Sequence, residues 1–243
     1  MPKIESSFSQ LVSDGIRKTV NKFREHPCIF FSEMDLHSYL YHCLYTTKLE
    51  ARTKDGVITS CLHKEYPTNF RYSKETMEDY GLTKQGIRGH FDLAILDPQF
   101  IKQSSIESIE NKNIGEAEAR SKNREKFRHE LLVAIELKYV VNNSRKFIEE
   151  VEKDNKKLLI GLKYQSFEAY NLVFCNKQYY YINELAKLVE NTNSNIKIML
   201  ALSDYTDEKK NTPKPITNGW SFQNLIVHPD SARENNGMAQ QTR

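Results

Sequence analysis

The sequence predicts an α/β fold, a central mixed sheet flanked by helices, and three observations predict it. Short apolar runs have the length and the β-branched or aromatic content of buried strands: HFDLAIL (90–96), LLVAIELKY (131–139), NLVFCN (171–176) and IKIMLAL (196–202). Stretches with helical spacing of apolar residues separate the last three of these runs. The order along the chain is helix, helix, strands, helix, strand, helix, strand, which is the pattern of a sheet covered by helices.

The elements follow in order. Residues 7–25 place Phe8, Leu11, Val12, Ile16, Val20 and Phe23 on one helical stripe, and Pro27 ends that helix. A second helix starts after Ser32, an N-cap with Asp35 three residues on in the manner of a capping box. Its stripe is Leu36, Leu40, Cys43 and Leu44. After a Lys54-Asp55-Gly56 turn, VITSCLHKEYP (57–67) reads as strand and NFRYSKETMEDYGLTKQG (69–86) as loop. Residues 98–130 form a charged insertion, read as a solvated helix or excursion. SRKFIEEVEKDNKKLLIGLK (144–163) is a helix with Phe147, Ile148, Val151, Leu158, Leu159 and Leu162 apolar, and YINELAKLVEN (181–191) is a shorter one. One domain over 1–203 is expected, followed by an irregular extension over 204–243 that ends in a frayed tail.

Composition narrows the class. Lys and Arg number 35 against 32 Asp and Glu, a net charge of +3, so a polyanionic partner is permitted but not demanded. Cys28, Cys43, Cys61 and Cys175 contain no CxxC pair, which argues against a zinc ribbon or a thioredoxin-like motif. The seven histidines show no HxxxH spacing, so no zinc site is expected. MPKIESSFSQ lacks the apolar run of a signal peptide, and no stretch approaches a membrane span. A cytoplasmic protein with reduced thiols is the expectation.

Two strands carry charges that an apolar core would reject. Along LLVAIELKY, Val133, Ile135 and Leu137 point one way, and Ala134, Glu136 and Lys138 the other. Along HFDLAILD, Asp92 shares a face with Ala94 and Leu96. If the strands are neighbours, Asp92, Glu136 and Lys138 converge. Two carboxylates that close repel unless a cation lies between them. A hard divalent ion such as Mg²⁺ suits that role, and the backbone carbonyl of Leu137 offers a further oxygen. Lys138 would then orient a water or stabilise charge on a phosphate.

Asp92 followed by Glu136-Leu137-Lys138 resembles the PD-(D/E)XK superfamily of restriction-endonuclease-like nucleases. The resemblance covers about residues 32–175 and implies an αβββαβ core with 98–130 as an insertion. It further implies a nuclease that hydrolyses phosphodiester bonds, DNA foremost, with Mg²⁺ or Mn²⁺ held by Asp92, Glu136 and the Leu137 carbonyl. In the superfamily the preceding helix often carries a glutamate that faces the metal, and Glu33 stands in that position here. A homodimer is implied where both strands are cut. The proline before the aspartate is absent, Phe91 standing there, and the interval from Asp92 to Glu136 is long.

Plainer readings stand beside these. Glu33 could only favour the helix dipole, and Asp92 could only end a strand. Glu136 and Lys138 could be an exposed edge pair. The whole could be an inactive nucleic-acid- or protein-binding module of the same fold. Glu65 and His63 could extend the acidic cluster, though a surface strand is the simpler reading. Arg88 and His90, just before Asp92, could touch a phosphate. Asp154 and Lys157 read as solvated, with Lys156 and Lys157 as alternatives for a nucleic-acid backbone. Tyr179-Tyr180-Tyr181 could stack on bases or cover the core, and Trp220 reads as a packing anchor.

Overall fold

A computed structural model describes residues 6–45, 49–81, 85–110, 130–176, 180–203 and 225–227. The fold is α/β, with a mixed sheet between helices. Helix α1 (Ser6–Glu25) buries Val12, Ile16, Val20 and Phe23 completely, with Phe8 and Leu11 packed at the margin. A single 3-10 turn (Pro27–Ile29) separates it from α2 (Glu33–Leu44). Ser32 caps α2 in a full capping box with Asp35, as the sequence predicts.

A small ribbon, β1 (Glu50–Arg52) with β2 (Ile58–Ser60), precedes the main sheet. That sheet contains β3 (Leu62–Tyr72), β4 (Asp79–Gly81), β5 (Ile87–Leu96), β6 (Leu131–Val140), β7 (Glu168–Asn176), β8 (Ile196–Ser203) and β9 (Leu225–Val227). Its order is β4-β3-β5-β6-β7-β8-β9, antiparallel up to β6 and parallel from β6 onward. Short helices α3 (Pro98–Gln103) and α4 (Ile106–Glu110) follow β5. Helices α5 (Lys146–Tyr164) and α6 (Ile182–Glu190) cross between the parallel strands β6, β7 and β8, as parallel pairing requires. None of the described helices is long and apolar enough to cross a membrane.

The alternation along each inner strand builds two cores. Phe174 and Tyr139 turn to α1, where Phe23 meets them edge-on with ring centroids 5.1 and 5.9 Å away. Val173, Cys175, Ile198 and Leu200 turn the other way, against Ile148 and Val151 of α5 and Leu185 and Val189 of α6.

Three expectations change. Residues 69–72 and 79–81 are strand rather than loop, the first because Tyr66, Thr68, Phe70 and Tyr72 continue a buried period-two face through polar neighbours, the second because it pairs with β3. The start of the 98–130 insertion is packed rather than solvated, with Phe100 and Ile101 buried; residues 111–129 lie outside the described residues. The sheet also extends past residue 203, since β9 pairs with β8, whereas Trp220 lies outside the described residues.

Candidate metal centre

The site arises where two neighbouring strands part. β5 and β6 pair from Leu96↔Leu131 to Leu93↔Ile135. Beyond that point β5 stays with β3 as far as Ile87↔Tyr72, while β6 stays with β7 as far as Val140. Asp92 is the first β5 residue in the fork, and Glu136 the first of β6. Ala94 lies opposite Ala134, so Asp92 and Glu136 belong to the same sheet face, as the alternation predicts.

Parting leaves backbone donors of β6 without a strand partner, and carboxylates take them. The Leu137 N–H donates to Asp92 Oδ2 at 2.7 Å, and the Tyr139 N–H donates to Glu33 Oε2 at 3.1 Å. In a strand the carbonyl of a residue points to the same side as its N–H, so the Leu137 carbonyl also faces the fork. Glu33 reaches this place from the first turn of α2, which the capping box holds over the end of β6. It also receives the Lys138 ammonium, 3.3 Å from Oε1 and 3.2 Å from Oε2.

Lys138 therefore turns to Glu33, and on its other side to Glu150 of α5 at 3.7 Å. Burial works against its charge, but Asp154, Glu33 and Glu150 outweigh burial and raise its pKa. It is an ammonium at neutral pH, suited to holding a phosphate rather than to removing a proton.

The cation that faces Glu136 is Lys157. Its Nζ lies 2.7 Å from Glu136 Oε2 and 3.8 Å from Asp154 Oδ1, and it donates to the His90 carbonyl at 2.8 Å. The reading of Asp154 and Lys157 as solvated is thereby overturned: their side chains are 17% and 12% exposed, and that of Glu136 only 1%. Burial raises the Glu136 pKa well above the ordinary carboxylate value; Lys157 opposes this, and the charges of Asp92 and Asp154 add to it. Asp154 is likewise pushed up, to about 7, by burial first, with Lys157 and Lys138 pulling back. Burial lowers the Lys157 pKa, but Glu136, Asp154 and Asp92 outweigh it, so the ammonium persists. Glu136 Oε1 is buried and has no hydrogen-bond partner.

On the α2 side His37, 4% exposed, sets Nε2 at 3.4 Å from Asp92 Oδ2. Burial raises the Asp92 pKa, but the neighbouring His37 imidazole, the charge of Lys157 and the Leu137 N–H outweigh it and leave the pKa lowered. Glu65 joins from β3. It lies between Lys64, paired with Leu93, and Tyr66, paired with Phe91, and its φ of 49° is rare for a residue with a side chain. Ligand atoms of His37, Glu65 and Asp92 all lie within 4.8 Å of one another. Among the described residues this is the set that converges tightly enough for one ion; it contains Asp92 but neither Glu136 nor Glu33.

The fork thus brings Asp92, Glu136, Lys138 and Glu33 to one region, and adds His37, to which the sequence assigns no role, and Lys157, which the sequence places in solvent. Glu150, Asp154 and Lys157 recur at steps of four and three, a single helix face directed at the sheet, and that spacing was the available signal. His37 stood beside Leu36 on the inward stripe of α2 and carried the same kind of signal. Arg88 donates to the Thr68 carbonyl at 2.7 Å, which gives it a structural task within the β3–β5 ribbon. No protein-family model, no curated protein and no solved structure matches this chain.

Proposed function

We propose that the chain is a metal-dependent nuclease of the restriction-endonuclease-like kind, hydrolysing phosphodiester bonds with DNA as the foremost substrate. One observation carries the reading. An imidazole and two carboxylates converge within 4.8 Å, in a fork that also holds a buried, unpartnered oxygen of Glu136. Carboxylates so placed are reconciled by a cation.

The donor set fits a divalent ion. His37, Asp92 and Glu65 would hold it, while Glu136 stands outside that set. An imidazole among oxygens suits Mn²⁺ at least as well as Mg²⁺, which prefers oxygen alone. When bound, such an ion supplies an activated water nucleophile and offsets the charge that develops on the phosphate.

The chain's own residues do the rest. The Leu137 N–H orients Asp92 through Oδ2, leaving Oδ1 for other work. Lys157 pins Glu136 through Oε2, so that Oε1 is the oxygen left to act. Lys138, kept protonated by its neighbours, is the group to hold a phosphate oxygen at the mouth of the fork.

A second reading has its own observation. The Lys157 ammonium already neutralises Glu136, as an internal cation would in a module without catalysis. Calorimetric titration with Mn²⁺, followed by incubation with supercoiled, linear and single-stranded DNA and with RNA, separates the two. The nuclease reading expects Mn²⁺ binding that His37→Ala weakens and cleavage that Asp92→Asn abolishes. No binding and no cleavage of any substrate would refute it and leave the module.

A further inference from the structure

The approach to the fork carries exposed apolar groups that neither core explains. Phe31 is 86% exposed and Met34, one turn on, 59%. Val141, the residue after β6, is 55% exposed. Phe31 is not part of a slack loop. Its N–H donates to Asp35 Oδ2 at 2.8 Å, and the Tyr139 hydroxyl donates to the Phe30 carbonyl at 3.1 Å. A capping box and a strand therefore grip the backbone on either side of a ring left in water.

We propose that the fork takes single-stranded nucleic acid, with an unpaired base stacked on Phe31 beside the phosphate that Lys138 holds. The inference rests on the nuclease reading for the identity of the polymer. Phe31 precedes Glu33 by two residues, so their Cα atoms are at most about 7 Å apart, and Glu33 grips Lys138. A base on Phe31 thus belongs to a nucleotide next to the one held by Lys138. In a duplex the base faces are covered by their neighbours, and only an unpaired base presents a face to a protruding ring. The same end of the sheet holds Lys146, its side chain 76% exposed and its ammonium 3.3 Å from Glu150 Oε1, a surface pair that a trailing phosphate can displace.

The tyrosine run divides accordingly. Tyr181 packs against the second core, and Tyr179 lies outside the described residues. Tyr180 is 81% exposed, and its N–H donates to Asn143 Oδ1, in the loop after β6, at 3.2 Å. It stands as a second ring at that end of the sheet.

The test is binding in EDTA, where cleavage does not run, of labelled single-stranded and duplex 12-mers to the full chain, read by fluorescence anisotropy. A 2-aminopurine base in the single strand reports stacking directly through quenching. Phe31→Ala is expected to weaken single-strand binding about tenfold, the size of one lost base stack, and to relieve the quenching. Phe31→Trp is expected to retain both, and duplex binding to stay weak and unchanged. Equal single-strand affinity of wild type and Phe31→Ala would overturn the proposal, as would a wild-type preference for duplex. So would light scattering that shows a dimer dissociated by Phe31→Ala, since the patch would then serve self-association. Tight, quenched single-strand binding without cleavage in any metal would support this inference while retiring the nuclease.

Discussion

Replacing Lys157 with Met keeps the stem of the side chain and removes the ammonium that lies 2.7 Å from Glu136 Oε2. Glu136 is 1% exposed, so water cannot take over the vacated role. Breaking a buried ion pair from one side costs about 3–5 kcal/mol, because the remaining charge stays buried without compensation. The His90 carbonyl also loses its donor, worth about 1 kcal/mol. Glu136 can escape part of this cost by taking a proton, and burial already raises its pKa. Without Lys157 that rise is larger, since the charge opposing it is gone.

The pH sign follows. A carboxyl whose folded pKa lies above its unfolded value contributes stability at low pH that is lost as pH rises. The Lys157→Met protein should therefore lie about 1 kcal/mol below wild type at pH 5, from the lost His90 bond alone, and about 3–5 kcal/mol below it at pH 8. Glu136→Gln in the same chain removes the charge that needed pairing and should recover most of the loss. Urea denaturation of wild type, both single variants and the double variant at pH 5 and pH 8 measures the cycle. A Lys157→Met protein within 1 kcal/mol of wild type at pH 8, with no coupling to Glu136, would mean that the ion pair does not form. Lys157 would then lose its place in the site.

Two further predictions test the scaffold. Burial pushes the Glu130 carboxyl up to about 8, against the Gln165 amide, and the Tyr66 hydroxyl donates to it. Wild-type stability should fall as pH rises from about 4.5 towards 8, by about 1.4 kcal/mol per pH unit from this group, and Glu130→Gln should flatten that slope in urea titrations. In α5 a Cβ on Gly161 would stand 2.9 Å from Phe167 Cζ and 3.1 Å from Phe91 Cζ. Gly161→Ala should destabilise by about 1–3 kcal/mol in thermal unfolding, despite the helix propensity of alanine, and a more stable protein would contradict the packing.

The parts of the fold legible in the sequence are those that depend on neighbours along the chain. Val12, Ile16, Val20 and Phe23 announce a buried helical face, and Ser32 with Asp35 announces a helix start, because both signals lie within a few residues. Asp92 and Glu136 could be assigned to one face since alternation is local, and only their adjacency had to be supposed. What depends on strand parting was not legible. The fork after Leu93↔Ile135 is a property of three strands, and it decides which backbone donors need acceptors. Glu65 reads as a surface strand residue until its φ of 49° is known, and no motif marks a left-handed glutamate. The sequence expects Lys138 to converge with Asp92 and Glu136; the structure turns it to Glu33 and Glu150, and the position of α5 makes Lys157 the cation at Glu136.

The fork also decides how the chemistry can be tested at all. Asp92 and Glu33 are not only acids near the candidate metal centre; each accepts a β6 backbone N–H that has no strand to receive it. Truncating Asp92 to alanine would leave the Leu137 N–H without that acceptor, at a cost of about 1–3 kcal/mol. Lost activity in such a variant would report on the frame as much as on the reaction. Asparagine keeps an oxygen for the Leu137 N–H and removes only the charge. Histidine brings a different case, since His37 meets Asp92 at 3.4 Å and holds up no strand, so its removal leaves the β6 backbone bonds in place. A metal dependence lost in both Asp92→Asn and His37→Ala, with unfolding free energies close to wild type, separates the ligand role from the structural one within a single pair of proteins.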